Sequence, residues 1–469
     1  MFNAAQRSQP IHFITCLLLC GVASAAPSIT LSKKSGPPTS RILVSGSGFQ
    51  PNAGVDIYFG PKAEARVVTD IQGGFQEAEI HAPSSAPQGK HLVKAVEQNK
   101  QLSAQQPFLV RTNWSQFRFS SVHEGVNPYE NVLNLRTVTN LKLKWVYHAT
   151  GYIDSSPAVV DGVVYVGSDD GNVYAFSART GTKFWNYATG GKVYSSPAVA
   201  NGMVYVGSAD GNLYALSART GAKLWSYVTG GRVWSSPAVV DGVVYVGSED
   251  DNVYALNAST GEKLWSYTTQ GEVDSSPAVV DGLIYIGSFD GHVYALKAKT
   301  GAALWTYAVG GGFVSSAPAV ADGVVYVGTE WGGDTLYALN ANTGTLLWSF
   351  DIAPYEIFSS PAVANGVVYI GSDAGKVYAL KAGTGALLWS YSTGQYVDSS
   401  PEVSRGVVYI GSDDGNILAL NASSGTRLWS YDTYTSFESS PTVVDGVVYA
   451  GSQGNSMYAF GLPRSGQQP

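Results

Sequence analysis

A short phrase, Ser-Ser-Pro or its near twin Ser-Ser-Ala-Pro, occurs eight times in the chain, and the residue before it changes from copy to copy. The prolines follow one another at intervals of 40 to 43 residues. The preceding residues are Asp154, Tyr194, Trp234, Asp274, either Val314 or Ser315, Phe358, Asp398 and Glu438. Carboxylates bring charge to a surface, and Trp and Tyr bring a large contact area at low entropy cost. The pattern favours a binding surface.

Closure of the repeats into a ring would group these residues further. The last two repeats would then adjoin the first, which predicts an acidic arc of Asp398, Glu438 and Asp154. Tyr194 and Trp234 would continue it as an aromatic arc. The alternative is that each residue varies because water tolerates any side chain at a rim.

The fifth and sixth repeats carry irregular segments, EWGGDT at residues 330–335 and DIAPYEIF at residues 351–358. They make Trp331, Tyr355 and Phe358 candidates for an aromatic patch beside the mouth of the channel. A calcium site in the acidic arc is disfavoured, because its carboxylates come from different repeats and oxygen cages usually draw several ligands from one tight loop. We therefore predict no metal site.

Other catalytic patterns are missing from the sequence. The six histidines have no metal-binding spacing, the glycines fit turns and not phosphate loops, and no Gly-x-Ser-x-Gly elbow occurs. A formal net charge of −7 without a run of Lys or Arg argues against nucleic acid or an anionic membrane as a partner.

The elements that position the variable residues are short strands. Each repeat contains apolar runs such as AVV and VVYVG, joined by two-residue Asp-Gly or Asn-Gly turns that suit a β-hairpin. A period of about 40 residues filled with four strands predicts a β-propeller. Pro at the start of the first strand suits an edge that faces the central channel. The fold class expected is therefore all-β, with eight blades.

The eighth repeat ends before its fourth strand. Residues 141–147, LKLKWVY, match the strand that it lacks, which predicts closure of residues 141–461 into a ring by an N-terminal strand. We expect one tryptophan per blade to pack against the neighbouring blade in a structural role: Trp145, Trp185, Trp225, Trp265, Trp305, Trp348, Trp389 and Trp429.

The N-terminal 25 residues have the pattern of a secretory signal peptide, with an apolar stretch and Ala23-Ser24-Ala25 before the expected cleavage site. The only cysteines, Cys16 and Cys20, lie in this segment, so the mature chain would contain no disulfide. Lipidation of Cys20 is the alternative, although Leu19 stands where a small residue is preferred. No later apolar run has the length of a membrane span.

The segment between the leader and the repeats divides into two parts. Residues 27–111 contain alternating strands separated by turns, which predicts a small β-sandwich. Its motifs SGSGFQPN and APQGKHLVKAV resemble bacterial immunoglobulin-like modules of surface proteins. Residues 112–140 form a lead-in to the repeats, and residues 462–469 are expected to be a flexible tail.

The repeat string A-x-N-x-x-T-G-x-x-x-W, seen from Ala255 to Trp265, resembles the tryptophan-docking repeat of pyrroloquinoline-quinone (PQQ) propellers. The lead-in NWSQFRFSSVHEGVNPYE, residues 113–130, is similar to the segment that precedes such propellers. The resemblance covers residues 113–461 and implies members of two kinds. Some are quinoprotein dehydrogenases, and others, such as the outer-membrane assembly factor BamB, are scaffolds that bind no quinone.

The dehydrogenases of that family imply a vicinal cysteine pair over the quinone, a calcium ion and an Asp that acts as a base. The mature chain has no cysteine, long insertions between the blades are almost absent, and no residue matches the catalytic Asp. PQQ and calcium are therefore expected only under the alternative of a PQQ-dependent dehydrogenase.

The sequence thus predicts an exported, periplasmic, envelope-associated or secreted protein without enzymatic activity. It would act as a scaffold that binds an envelope protein or a glycan at one end of its channel and needs no cofactor. A carbohydrate-binding surface protein that uses Trp331, Tyr355 and Trp234 is a further alternative.

Overall fold

The computed structural model describes residues 26–99, 101–332, 334–352 and 354–463. The predicted signal peptide with Cys16 and Cys20, and residues 464–469 of the predicted tail, lie outside these ranges. The chain divides into two compact units, the smaller with residues 39–83 and 90–109 and the larger with residues 110–463; residues 26–35 belong to the smaller unit, and 36–38 and 84–89 to the larger.

The smaller unit contains two β-sheets. Its strands are β1 (Ser28–Leu31), β2 (Ser35–Gly36), β3 (Arg41–Ser47), β4 (Gly54–Phe59), β5 (Lys62–Val68), β6 (Phe75–His81), β7 (Gly89–Glu97) and β8 (Ser103–Val110). The first sheet has the order β1-β3-β6 and the second the order β2-β8-β7-β4-β5. Buried and less buried residues alternate along β3 and β4, as expected for strands with one face on a core. The immunoglobulin-like assignment of residues 27–111 stays a prediction.

In the larger unit the lead-in is followed by a 3₁₀ turn, Val138–Asn140, and by β9 (Lys142–His148). The next four sheets each contain four strands in chain order. They are β10 (Ala158–Val160), β11 (Val163–Gly167), β12 (Asn172–Ser177) and β13 (Lys183–Ala188); β14 (Ala198–Ala200), β15 (Met203–Gly207), β16 (Asn212–Ser217) and β17 (Lys223–Val228); β18 (Ala238–Val240), β19 (Val243–Ser248), β20 (Asn252–Asn257) and β21 (Lys263–Thr268); β22 (Ala278–Val280), β23 (Leu283–Ser288), β24 (His292–Lys297) and β25 (Ala303–Ala308).

Three more sheets follow the same order, and an eighth takes its outer strand from the start of the unit. They are β26 (Ala319–Ala321), β27 (Val324–Gly328), β28 (Thr335–Asn340) and β29 (Leu346–Asp351); β30 (Ala362–Ala364), β31 (Val367–Ser372), β32 (Lys376–Lys381) and β33 (Leu387–Ser392); β34 (Glu402–Ser404), β35 (Val407–Gly411), β36 (Asn416–Asn421) and β37 (Arg427–Asp432); β38 (Thr442–Val444), β39 (Val447–Ser452), β40 (Ser456–Gly461) and β9.

The described sheets of the larger unit form a closed ring. Each innermost strand contacts the innermost strand of the next sheet, and β38 contacts β10. In the eighth sheet Trp145 of β9 lies opposite Ala459 of β40. The middle strands are buried on both faces, as in Val163–Gly167, because every sheet is covered by two others. The predicted all-β propeller fold is confirmed. No helix among the described residues is long and apolar enough to cross a membrane.

A tryptophan on the fourth strand joins each sheet to the next. The Nε1 of Trp185 donates a hydrogen bond of 3.0 Å to the carbonyl oxygen of Ala218, and the indole ring lies against Gly221. A Cβ on Gly221 would come within 2.7 Å of that ring. The same pairing recurs with hydrogen bonds from Trp145, Trp225, Trp265, Trp305, Trp348 and Trp389 to an alanine carbonyl, and from Trp429 to the carbonyl of Leu141.

The glycine under the indole ring provides a test of this packing. We expect Gly221→Ala to lower the free energy of unfolding by about 2 kcal/mol more than Gly202→Ala, because overpacking adds to the backbone cost. Both glycines have a positive φ, +72° and +76°, but a Cβ on Gly202 meets nothing within 4 Å. Denaturant unfolding of the two variants measures the difference, and equal losses would show that the indole ring does not restrict Gly221.

Candidate functional site

The residue before each Ser-Ser-Pro phrase lies at one end of the channel. Asp154, Tyr194, Phe358, Asp398 and Glu438 line a common cavity there. The structure also decides the residue of the fifth repeat, for which the sequence left two candidates. Ser315 lines the cavity, whereas Val314 is fully buried in the core between the sheets. We call this end of the channel the mouth.

The serines of the phrase link neighbouring sheets by hydrogen bonds around the channel, with Ala317 in place of the second serine in the fifth repeat. Ser155 Oγ accepts a bond of 3.0 Å from the Gly167 amide of its own sheet and donates one of 3.1 Å to the Ser195 carbonyl of the next sheet. The Ser156 amide donates to Ser196 Oγ at 2.9 Å. The ring closes where the Ser440 amide donates to Ser156 Oγ at 3.0 Å. Ser-Ser is therefore kept because it links neighbouring sheets, a role that the sequence did not predict.

The lead-in segment occupies the channel and closes it below the mouth. From Trp114 to Asn127 it passes all eight innermost strands in ring order. At each strand it bonds the middle valine: Val159, Val199, Val239, Val279, Val320, Val363, Val403 and Val443. The sequence predicts that each innermost strand has an unpaired edge facing the channel. This prediction is wrong for the middle residue of every innermost strand, because that residue bonds to the lead-in. An irregular segment can satisfy eight strand edges because it bonds to the backbone of only one middle residue on each innermost strand.

Two buried ionisable side chains lie where the lead-in meets the seventh sheet: Arg118 of the lead-in and Glu402 of β34. Arg118 is buried, and its Nη2 donates a hydrogen bond of 2.5 Å to the Pro361 carbonyl and its Nε one of 3.2 Å to the His123 carbonyl. Burial lowers the pKa of Arg118 to about 9, and Glu402 opposes the shift. Glu402 replaces the small residue found at the start of the other innermost strands, and burial raises its pKa well above the usual range. The seventh sheet is thus adapted to the lead-in.

The turn of the seventh sheet is adapted in the same way. Arg405 stands where the other hairpins have Asp or Asn, and the sequence predicts a less favourable turn there. Arg405 does adopt a left-handed φ of 47°. Its Nε donates a hydrogen bond of 2.6 Å to the carbonyl of Glu130 in the lead-in. This bond to the lead-in compensates for the strained backbone conformation of Arg405.

The mouth is a dead-end cavity of about 180 Å³. Phe117 of the lead-in lines it together with the second serines of the phrases, and the variable residues surround its opening. Small-molecule sites usually have volumes of about 300–1,000 Å³. The cavity is therefore of a size for one side chain or a small ion, and is small for a cofactor with three fused rings.

The predicted acidic arc, Asp154, Asp398 and Glu438, lies on one side of the mouth. Burial, Glu438 and Asp169 raise the pKa of Asp154 to about 8. Burial and a hydrogen bond with Asp373 raise the pKa of Asp398 to about 9. Burial also raises the pKa of Glu438, which accepts a hydrogen bond from the amide of Gln453. The arc therefore concentrates carboxyl groups that repel one another when ionised.

Three further carboxyl groups, Asp169, Asp373 and Asp413, adjoin the arc and were missed by the sequence reasoning. We call them the outer carboxyls. Each follows the Gly-Ser that ends the second strand of its sheet, and its backbone amide bonds to the connection between two sheets. The corresponding positions elsewhere are Ala209, Glu249, Phe289, Glu330 and Gln453. The available signal was a second position that varies within a nearly invariant repeat.

The predicted aromatic arc is a stacked pair. The rings of Tyr194 and Trp234 lie 4.3 Å apart at an interplanar angle of 8°. The hydroxyl of Tyr194 donates a hydrogen bond of 3.0 Å to Asp169 Oδ2, which also accepts one of 2.8 Å from Lys192. The Nε1 of Trp234 is buried without a hydrogen-bond partner among the described residues. The stack is thus fixed to the acidic side of the mouth at Tyr194.

Asp274 belongs to a separate acidic group. One carboxylate oxygen from each of Asp274, Glu249 and Glu272 lies within 4.8 Å of the others, close enough for the three to share a cation. Burial and Glu249 raise the pKa of Asp274 to about 7, while Arg232 opposes the shift. Arg232 lies 3.8 Å from Glu249 and already supplies one positive charge.

The predicted aromatic patch is divided in the structure. Phe358 lines the cavity, while Trp331 is 63% exposed and lies 6.5 Å from the ring of Phe313. Phe313 in turn stacks on Phe289 at 5.1 Å. Tyr355 is also exposed. Phe289 and Phe313 were missed by the sequence reasoning, although Phe289 occupies the second varying position of its repeat.

The residues of the mouth do not fit pyrroloquinoline quinone. The quinone carries three carboxylates, and the arc and the outer carboxyls would oppose their charge. The two basic side chains nearest to these acids, Lys192 and Arg232, are paired with Asp169 and Glu249. The chain has no vicinal cysteine pair to cover the ring. The Glu249 group is the one set of acids here that could hold calcium, and no quinone-sized cavity adjoins it among the described residues.

Comparison with solved structures supports the propeller fold. The chain is similar to BamB from Moraxella catarrhalis, with a TM-score of 0.61 and 21% identity over 69% of this chain and 100% of the other. It is also similar to the quinohemoprotein alcohol dehydrogenase ADHIIG from Pseudomonas putida HK5, with a TM-score of 0.65 and 18% identity over 76% and 82%. A europium-containing methanol dehydrogenase gives a TM-score of 0.66 and 15% identity over 75% and 98%.

These similarities include both BamB and dehydrogenases, so they show the fold and leave the function open. No curated protein matches the chain. One family model matches it in four overlapping ranges, residues 92–272, 229–334, 269–360 and 332–468. Because these ranges span most of the chain, the protein belongs to the family described as outer membrane protein assembly factor BamB.

Proposed function

We propose that the protein is an exported, non-enzymatic scaffold of the cell envelope that binds a partner protein at the mouth of its propeller. The observation that carries the proposal is the dead-end cavity, about 180 Å³ in volume, surrounded by carboxyl groups and aromatic rings. A closed floor excludes passage through the channel, and exposed aromatic side chains are typical of interaction surfaces.

Family membership supports both the role and the location. The family is described as an outer membrane protein assembly factor, which is a role in the cell envelope. The leader-like first 25 residues agree with export. The scaffold role needs neither a quinone nor a metal ion.

Two alternatives make different predictions. A PQQ-dependent dehydrogenase would show a quinone spectrum and reduce a dye with alcohols or sugars after reconstitution with PQQ and calcium, a result that would contradict the scaffold role. A carbohydrate-binding protein is favoured by the exposed ring of Trp331. It predicts retention on a glycan array that falls when Trp331, Tyr355 or Trp234 is replaced by Ala.

Affinity capture from envelope extract tests the proposed function. We expect Trp234→Ala and Asp398→Ala each to reduce capture of a partner by about tenfold, because central aromatic and charged side chains dominate interface energies. The matched controls are Asp241→Asn, in a turn at the opposite end where other repeats carry Asn, and Leu224→Ala on an exposed outer strand. Equal capture by all four variants would contradict the proposal.

A further inference from the structure

We infer that the mouth receives a single basic side chain, Arg or Lys, carried by a loop of a partner protein. The inference rests on the proposed function and names the chemistry of the partner. The acidic arc and the outer carboxyls would surround the cationic head, the exposed aromatic rings would contact the rest of the loop, and Phe117 would lie beneath the inserted side chain.

The charge of the mouth supports a basic side chain as its occupant. Three acidic side chains, Asp154, Asp398 and Glu438, line the cavity, and the outer carboxyls interact with them electrostatically. The basic side chain paired with this group is Lys192, 2.8 Å from Asp169. Charge complementarity therefore requires a cation from outside the described part of the chain. A cation would stabilise the ionised form of these carboxyl groups, which an anionic or neutral loop would not do.

Carboxyl oxygens without a hydrogen-bond donor support the same occupant. The side chain of Asp169 is only 7% exposed, and its Oδ1 has no hydrogen-bond partner among the described residues. Asp154 and Asp413 each have a buried Oδ1 in the same condition, whereas Asp373 and Asp398 are hydrogen-bonded to each other. Buried acceptors without donors are costly, and a guanidinium or ammonium group supplies several donors at once. The unpaired carboxyl oxygens of the arc and of the outer carboxyls therefore favour a cationic donor.

The surface around the opening supports a protein as the partner. Six exposed aromatic side chains lie on the connections and turns at the mouth end of the propeller: Tyr152, Trp331, Tyr355, Phe358, Tyr396 and Tyr434. Tyr434 is 89% exposed and has a left-handed φ of 59°. A free inorganic cation would leave these rings in water, whereas a protein loop would bury them. The combination of an acidic cavity and an aromatic surround therefore favours a basic residue on a protein.

Proton release gives the inference a distinctive pH dependence. Because Asp154 and Asp398 have pKa values raised to about 8 and about 9, they retain protons at neutral pH in the free protein. A bound cation would displace those protons, so affinity should increase as the pH rises through this range. The groups that set these pKa values are Asp169, Lys192, Asp373, Asp413 and Glu438.

Calorimetric titration with three peptides tests the inference on the full mature chain. The probes share the sequence Gly-Ser-Tyr-Xaa-Tyr-Ser-Gly, where Xaa is Arg, Lys or Gln. We expect the Arg and Lys peptides to bind about tenfold more tightly than the Gln peptide at about pH 8, and the difference to shrink at about pH 6. Glu438→Gln combined with Asp398→Asn should abolish the preference. Asp241→Asn combined with Asp281→Asn, at the opposite end, should leave it unchanged.

The outcomes separate this inference from the proposed function. Equal affinity for the Arg and Gln peptides, or a preference that persists after the mouth substitutions, would contradict the inference that the mouth binds a basic side chain. If capture of an envelope protein still depends on Trp234, the scaffold role survives that result. If neither the peptides nor capture depend on the mouth, both proposals fail. A circular dichroism spectrum and an unfolding curve for each variant establish that it is folded.

Discussion

Asp398→Asn is expected to raise the free energy of unfolding by about 3–6 kcal/mol at pH 9 and to leave it unchanged at pH 4. Burial and a hydrogen bond with Asp373 raise the pKa of Asp398 to about 9 in the folded protein. In the unfolded chain the same carboxyl ionises near pH 4. The wild type therefore loses stability as the pH rises between these values, because only the unfolded state releases its proton there.

The asparagine removes this loss because it carries no titrating proton and its amide can donate to Asp373. Urea unfolding of the wild type and the variant at several pH values measures the difference. Asp281→Asn is the matched control, since Asp281 lies in an exposed hairpin turn and Asn occupies the same turn in two other repeats. A difference between Asp398→Asn and the wild type that stays constant from pH 4 to pH 9 would contradict the assignment.

Trp145→Ala is expected to lower the free energy of unfolding by about 3–5 kcal/mol. Trp145 is buried, its Nε1 bonds to the carbonyl of Ala178 at 3.0 Å, and its ring lies against Gly181 of the first sheet. The strand that carries it pairs with β40 and so joins the two ends of the ring. Loss of the indole therefore removes core packing at the closure of the propeller.

Hydrogen exchange separates ring closure from ordinary packing. Trp225→Ala removes the same contacts, with Ala258 and Gly261, from a sheet that is continuous in sequence. We expect both variants to be destabilised, but only Trp145→Ala to accelerate amide exchange selectively along residues 142–148. If both variants leave those amides equally protected, the N-terminal strand is held by something other than its tryptophan.

The plug changes how the propeller can function. The segment from Trp114 to Asn127 fills the channel and leaves the mouth as its opening. The residues around the mouth differ from one repeat to the next. The scaffold is nearly uniform because each sheet must bury two faces and bond its neighbours. The residues that differ between the sheets are therefore few, and they lie at the mouth or, like Glu402 and Arg405, against the lead-in.

The sequence by itself determined the propeller and the residues that surround its opening. A strict period of apolar strands, Asp-Gly turns and tryptophans can be satisfied only by identical sheets packed on one another, so the positions of Trp145 and Asp398 in the fold could be inferred from spacing. The choice between Val314 and Ser315 could not, because an inserted residue shifts the register and only core packing decides which side chain is buried.

Only the tertiary structure decided the plug and the depth of the acidic cavity. Residues 114–127 have no periodic pattern, and their bonds to eight strands join parts of the chain up to about 300 residues apart, which no local signal encodes. The outer carboxyls meet the arc because the turns after the second strand and the connections between sheets lie at the same end of the ring. The raised pKa values of Asp373 and Asp413 are a property of that meeting and of the burial it produces.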